Sequence, residues 1–298
     1  MGIAVGILQE GLIFSIMALG VYISLKILDF PDLSVDGTFP LGMAVTTFLI
    51  LRGVNPFLCL LLSFAAGCAA GCVTGLLNVK LKIKDLLSGI ITMTALYSIN
   101  YTIVGKPNEF LAVDQSTVFS IIPAKSGDLL FQYKYLIVAF AAMLIAKKLL
   151  DAYLCTKSGF LLRSVGDNEN LVVTLAENPG TVKIIGLALG NGLVALAGSL
   201  NLQYMKSFNV SAGTGTLVMG LAAVIIGTTL FSKAKHFKIT TGVVVGMIIY
   251  KACISLAMLC GLQAKDTNLV ISVLFVITLV LNSDRVKGRK GGSADVRA

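Results

Sequence analysis

The sequence predicts an all-α protein that crosses a membrane about nine times. Of its 298 residues, 56% are hydrophobic and only 13% are charged, so the apolar side chains exceed what a water-soluble core could enclose. Apolar runs of about 20 residues, the length of one helical crossing, recur along the chain. The 30 glycines are typical of closely packed membrane helices.

Nine segments are apolar enough to be crossings, although several are short or interrupted by glycine. They are residues 5–26, 39–52, 56–79, 86–104, 133–150, 183–203, 217–231, 239–258 and 268–282. The first lacks a basic leader and a small-residue cleavage site, so we expect a retained helix rather than a signal peptide.

Basic residues predict the orientation of these crossings. With the C-terminal tail (283–298) on the cytoplasmic side, that side receives seventeen Lys and Arg residues and the other side six. Cytoplasmic loops of membrane proteins are enriched in Lys and Arg. The sequence therefore predicts an N terminus outside and a C terminus in the cytoplasm.

The chain holds no pattern typical of a metal site or of nucleophilic catalysis. His236 is its single histidine and lies in a basic loop, and the six cysteines are mostly scattered, with only Cys68 and Cys72 on one helix face. The net charge of +9 is explained by cytoplasmic loops rather than by nucleic-acid binding. We expect no enzymatic activity and no cofactor in this chain.

The chain resembles itself at an offset of 178 residues. The segment 36–44 (DGTFPLGMA) aligns with 214–222 (TGTLVMGLA). Identical residues at this offset are Gly20 and Gly198, Phe30 and Phe208, Gly37 and Gly215, Thr38 and Thr216, Gly42 and Gly220, and Ala44 and Ala222. Because the first copy begins outside and the second inside, the sequence predicts two inverted-topology repeats, about 8–104 and 183–282, linked by the crossing 133–150.

The polar, glycine- or proline-broken segments 29–40 and 209–216 occupy equivalent places in the two repeats. Irregular backbone at membrane depth is tolerated only against protein or water, so we expect both segments beside a solute path, with ordinary interfacial turns as the alternative. The fourth crossing is rich in hydrogen-bonding groups, which either line this path or bond neighbouring helices. The candidate path residues are Asp36, Gly37, Thr38, Ser88, Thr92, Tyr97, Asn100, Gly215 and Thr216.

Between the repeats lies the longest polar cytoplasmic stretch, residues 156–171, followed by 176–180. Asp167 and Asn168 can cap a short helix that continues through Glu169, and residues 160–162 (FLL) form an apolar face. These features favour an amphipathic helix lying against a soluble partner over a passive solvated linker.

This stretch resembles the central cytoplasmic loop of a known family, the permeases of bacterial ABC importers in the branched-chain amino acid and ribose group. That loop reads approximately G-x-x-x-R-A-x-G-x-N followed by a glycine. The matching residues are Gly159, Arg163, Gly166, Asn168 and Gly180, while Ser164 replaces the alanine. A second motif, P-D-L-S/T-V-D-G-S/T-F-P-L-G, resembles the tryptophan/tyrosine transport permeases and is present at residues 31–42. The likeness extends over residues 11–282.

The resemblance implies a fold like that of the cobalamin importer's permease without its first helix. It also implies a homodimer of permeases over two ATPase subunits that bind ATP and Mg, an extracytoplasmic solute-binding protein, and a place in the bacterial inner membrane. The solute would be an amino acid, an aromatic one ahead of a branched-chain one. The implied ATPase-coupling residues are Gly159, Arg163, Gly166, Asp167, Asn168 and Glu169. One permease domain (1–282) would contain the coupling segment (151–182).

Two other function classes remain in view. A membrane-embedded enzyme would need clustered ionisable groups, and Glu10 and Lys251 have no ionisable partner in their own segments. We expect Lys251 to snorkel or to bond helix carbonyls, with a pore-facing role as the alternative. An inverted-repeat secondary carrier is the stronger rival, but it usually places carboxylates near the membrane midplane. The sequence locates the acidic residues at span ends: Asp29, Asp32, Asp36, Asp85 and Asp266.

Overall fold

The computed structural model describes residues 2–120, 129–231 and 238–259, together with the single positions 269, 272, 273 and 276. Ten α-helices occur within these residues. They are α1 (Gly2–Tyr22), α2 (Val35–Leu51), α3 (Pro56–Val79), α4 (Asp85–Val104), α5 (Leu129–Leu154), α6 (Lys157–Asp167), α7 (Glu169–Thr174), α8 (Pro179–Met205), α9 (Thr216–Leu230) and α10 (Ile239–Leu259). A π-helical turn (Ile23–Ile27) extends α1, and strands β1 (Asn108–Phe110) and β2 (Ser207–Asn209) pair antiparallel.

Five helices are long and apolar enough to cross a membrane: residues 3–27, α3, α4, α8 and α10. The apolar helices α2 and α9 are shorter, with 17 and 15 residues. The chain is therefore a polytopic helical membrane protein. Three parts of the sequence prediction lie outside the described residues: the tail (283–298), His236, and most of the predicted ninth crossing (268–282). Of that crossing, only four single positions are described.

Helices α1 and α8 form the centre of the bundle. They run antiparallel, and Gly20 of α1 lies against the backbone of Gly190. Helix α3 also runs antiparallel to α8, where Gly67 and Gly71 contact the backbone of Asn191 and Leu187. Because these glycines carry no side chain, the helix backbones approach closely and bury long apolar stripes between them.

The two short helices begin inside the bundle rather than at its ends. Helix α2 starts beside Asn191, in the middle of α8, and then runs parallel to α8, with Gly42 against Ala195. Helix α9 starts beside the first turn of α2 and then packs antiparallel to α10, with Gly227 against Gly242. A helix that starts at this depth is too short to cross a bilayer by itself.

The helix contacts of the first half of the chain recur in the second half. Helix α1 packs against α8, α9 and α10, and α8 packs against α1, α2 and α3. Helix α2 packs on α3, and α9 packs on α10. Exchanging α1 with α8, α2 with α9 and α3 with α10 converts each of these contacts into another contact of the same set.

The substitution Gly42→Ala is expected to destabilise the bundle. A Cβ at Gly42 would overlap the backbone of Ala195, including a Cα at 2.8 Å, and overpacking of this kind costs about 1–3 kcal/mol. Gly6→Ala is the matched control, because a Cβ there meets nothing within 4 Å. Thermal unfolding of the purified variants in detergent should show a lower midpoint for Gly42→Ala only. Equal midpoints for the two variants would contradict the packing described here.

Candidate functional site

A buried polar cluster lies where the chain breaks between α1 and α2. The Asp32 carboxylate accepts hydrogen bonds from the Ser34 backbone N–H at 2.9 Å and from Asn191 Nδ2 at 2.7 Å. The hydroxyls of Ser34 and Thr38 donate to Asn191 Oδ1 at 3.1 and 2.7 Å. All four side chains are buried. The cluster satisfies irregular backbone deep in the bundle and places the carboxyl group of Asp32 beside the N terminus of α2.

The location of Asp32 corrects a sequence-based interpretation. The spacing of the apolar runs assigned Asp32 to the end of a span, whereas the structure places its carboxylate against Asn191, in the middle of α8. The span assignment failed because α2 begins inside the bundle, so the preceding residues also lie there. The sequence argument against a secondary carrier was that the carboxylates lie at span ends. The position of Asp32 removes that argument.

The carboxylate of Asp36 joins the first turn of α2 to the start of α9. Its Oδ2 accepts a hydrogen bond from the Gly215 N–H at 3.1 Å, and its Oδ1 accepts from Thr216 Oγ1 at 2.9 Å and from the Leu217 N–H at 2.8 Å. Gly215 has a φ of +83°, a conformation that glycine adopts readily. An anion thus caps the N terminus of α9, where unpaired N–H groups and the helix dipole both favour it.

A proline shapes the same junction. Pro40 lies inside α2 and has no N–H, so the Asp36 carbonyl lacks its usual partner one turn later. Gly213 lies directly against this carbonyl, and a Cβ at Gly213 would overlap it. The structure therefore brings the segments 29–40 and 209–216 into contact with each other, and their place beside a solute path stays a prediction.

Two of the four candidate path residues on α4, Thr92 and Asn100, bond neighbouring helices. Ser88, Thr92 and Asn100 are buried, whereas Tyr97 is exposed. The Thr74 hydroxyl donates to Thr92 Oγ1 at 3.0 Å, and Asn100 Nδ2 donates to the Gly37 carbonyl at 3.0 Å. Asn100 Oδ1 has no partner among the described residues. These contacts match the interhelical alternative for Thr92 and Asn100, and a path-lining role stays a prediction for all four residues.

The connector between α5 and α8 contains two short helices, of which the sequence reasoning anticipated only the second, α7. Thr156 caps α6 by accepting a hydrogen bond from the Gly159 N–H at 3.3 Å. Asp167 is the last residue of α6, and Asn168 directly precedes α7, the short helix that the sequence predicted to run through Glu169. Thr156 before a run of helix-compatible residues was the missed signal. Glu169 opens α7, and its side chain lies outside the described part of the chain.

One side of α6 packs against the bundle. Gly159 lies against the backbone of Tyr153 and Leu154 at the end of α5, and Gly166 lies against the Ile27 carbonyl at the end of α1. The fully buried Leu162 reaches the start of α8.

The opposite side of α6 is exposed. Phe160 is 63% exposed, and Arg163 and Asp167, one and two turns further along the helix, are exposed as well. The three exposed residues Phe160, Arg163 and Asp167 give α6 an accessible surface that combines an aromatic ring with charged groups.

Lys251 forms an ion pair with Glu10 across α1 and α10. Its Nζ lies 3.2 Å from Glu10 Oε2 and 3.6 Å from the centre of the Phe14 ring. The expectation that Lys251 snorkels or bonds helix carbonyls is therefore wrong, because a carboxylate on another helix neutralises it. Among the described residues, no group of three or more His, Cys, Asp or Glu side chains could hold a metal ion.

Residues 3–281 match a protein family described as a branched-chain amino acid transport system / permease component. The chain is 41% identical over 286 residues to a tyrosine transport system permease protein of Clostridioides difficile, which covers 96% of this chain and 93% of that protein. It is 28% identical over 284 residues to an uncharacterised protein of Rickettsia prowazekii, with coverage of 94% and 97%. No solved structure matches the chain.

Proposed function

Because the chain belongs to the family of branched-chain amino acid transport permeases, we propose that it is the membrane-spanning subunit of an ATP-driven amino acid importer. It is a permease component of an ABC-type transport system. The proposal concerns four further points: the direction of transport, the solute, the partner subunits and the mechanism.

The proposed solute is an aromatic amino acid such as tyrosine or tryptophan, with a branched-chain amino acid next. The relative named for tyrosine transport supports the first choice, since its identity of 41% extends over nearly the whole chain. The family description supports the second. A secondary carrier is disfavoured because the family consists of permease components of larger systems.

The observation that carries the proposal is the geometry of α6. This helix contacts the ends of α1 and α5 and the start of α8, while Phe160, Arg163 and Asp167 are exposed. A soluble subunit that moved α6 would displace helices of both repeats together, the rigid-body change that alternating access requires. The proposed partners are two ATPase subunits that bind ATP and Mg, a second permease copy and an extracytoplasmic solute-binding protein.

The proposed path lies between two inverted repeats, about 8–104 and 183–282. The exchange of helix contacts described above is what such a repeat produces. The short helices α2 and α9 support the same proposal, since discontinuous helices that begin near the midplane commonly form solute sites between inverted repeats. In this arrangement the N terminus lies outside and the C terminus in the cytoplasm.

The test is transport by the purified chain in liposomes, with and without its ATPase and binding protein. We expect accumulation of tyrosine in excess of leucine only when ATP and both partners are present. Neither a proton nor a sodium gradient should drive accumulation by the chain alone. Gradient-driven accumulation without the ATPase would overturn the proposal, and leucine uptake in excess of tyrosine would overturn only the solute assignment.

A further inference from the structure

A cavity of about 350 Å³ lies where α1 and α5 end and α10 begins, on the same face of the bundle as α6. The polar residues that line it are Tyr22, Lys26, Asp151, Arg163, Asp167, Lys238 and Thr240, and the apolar ones include Ile27, Leu154 and Ile239. The cavity is separate from the buried clusters of Asp32 and Asp36, and it shares only Arg163 and Asp167 with the proposed coupling helix α6.

The cavity contains two cations without an ionic partner. Lys26 and Arg163 are exposed, and neither forms an ion pair with any residue in the described part of the chain. They stand on different elements, the π-helical turn after α1 and the helix α6, yet both line the same cavity. An anion between them would be bound from two sides.

The acidic groups of the cavity leave this positive charge uncompensated. Asp151 accepts hydrogen bonds from Lys147 at 3.1 Å and from the Thr240 hydroxyl at 2.7 Å, and its carboxylate lies 3.3 Å from the Lys238 ammonium. Its single charge is thus shared by two lysines. Asp167 is exposed at the end of α6 and supplies the other carboxylate. The three lining cations, Lys26, Arg163 and Lys238, therefore exceed the two lining carboxylates.

The start of α10 adds a further positive element. Ile239 and Thr240 are the first residues of this 21-residue helix, and both line the cavity. The first N–H groups of a helix have no partner within the helix, and the helix dipole places partial positive charge there. Such N termini are frequent binding sites for phosphate.

From these groups we propose that the cavity binds the phosphate of an anionic phospholipid in the cytoplasmic leaflet. The inference uses the orientation proposed above, in which this face is cytoplasmic, but it needs neither the ATPase nor the solute. Basic pockets between membrane helices at the cytoplasmic face bind phospholipid headgroups, and Ile27, Leu154 and Ile239 offer apolar surface to the glycerol and upper acyl chain. A bound phosphate would connect α6 with α1 and α10.

The test is lipid binding to the purified full-length chain in detergent, measured by native mass spectrometry. We expect phosphatidylglycerol to bind more tightly than phosphatidylcholine. Lys26→Gln and Arg163→Gln should each weaken phosphatidylglycerol binding about tenfold, since each removes a charge-assisted contact. Lys80→Gln, a change at an exposed lysine near the end of α3 and outside the cavity, is the matched control and should have no effect.

Three results would overturn the proposal. Binding that is unchanged in both Lys26→Gln and Arg163→Gln, or weakened equally by Lys80→Gln, would exclude a defined site. Displacement of phosphatidylglycerol by an equal concentration of inorganic phosphate would show that the cavity takes free phosphate rather than lipid. Because lipid binding is measured without ATPase or solute, a failure here leaves the proposed transport function untouched.

Discussion

Replacing Gly166 by valine is expected to abolish ATP-driven uptake while the chain still inserts into the membrane. Gly166 lies directly against the Ile27 carbonyl, so a branched side chain forces α6 away from the end of α1. Movement of the ATPase would then no longer reach α1. Uptake and the solute-stimulated part of ATP hydrolysis should both fall to background in proteoliposomes of the assembled transporter.

A second variant separates coupling from packing. Phe160→Asp changes an exposed side chain on the outward side of α6 and leaves the contacts with the bundle intact, so it should reduce both ATPase co-purification and uptake. Lys157→Gln, at an exposed position in the first turn of the same helix, is the control and should behave as the wild type. If Gly166→Val and Phe160→Asp both retained normal uptake and ATPase binding, α6 would not be the coupling element.

Replacing Asp36 by alanine is expected to destabilise the protein and to stop transport. The change removes three hydrogen bonds that cap α9 and leaves the N–H groups of Gly215 and Leu217 without their acceptor. Loss of a cap together with charge-assisted hydrogen bonds costs about 2–3 kcal/mol. The thermal midpoint in detergent and uptake in proteoliposomes should both decrease.

Two related variants test the capping role of Asp36. Asp36→Asn keeps one acceptor oxygen for α9, so its stability should lie between the wild type and Asp36→Ala. Asp29→Asn is the matched control, since Asp29 is exposed and its φ of +53° is a conformation that asparagine tolerates. A midpoint for Asp36→Ala equal to that of Asp29→Asn would mean that the cap contributes nothing.

The sequence by itself was sufficient to predict the helical membrane class. The length of an apolar run and the absence of charge within it are local properties, and α3, α4, α8 and α10 coincide closely with predicted crossings. The resemblance of residues 31–42 and of the connector 156–180 was likewise enough to identify the permease family, which the comparison over residues 3–281 confirms.

Helix starts inside the bundle were harder to predict. Hydropathy reports how apolar a segment is but not at which depth it begins, so the span boundaries placed Asp32 at a membrane surface. In the connector, the capping residues Asp167 and Asn168 predicted a short helix through Glu169, and α7 begins there. The preceding helix α6, which Thr156 caps, was not predicted, because it is positioned by the contacts of Gly159 and Gly166 with α5 and α1.

The pairings between distant polar residues were decided only by the tertiary structure. Lys251 and Glu10 are 241 residues apart, Leu217 and Asp36 are 181 apart, and Asn191 and Asp32 are 159 apart. Sequence periodicity relates residues within one helix and carries no information about which helix packs beside it. That choice follows from the close approach of glycine-bearing helix faces, and it brings the buried charges and amides to the partners that satisfy them.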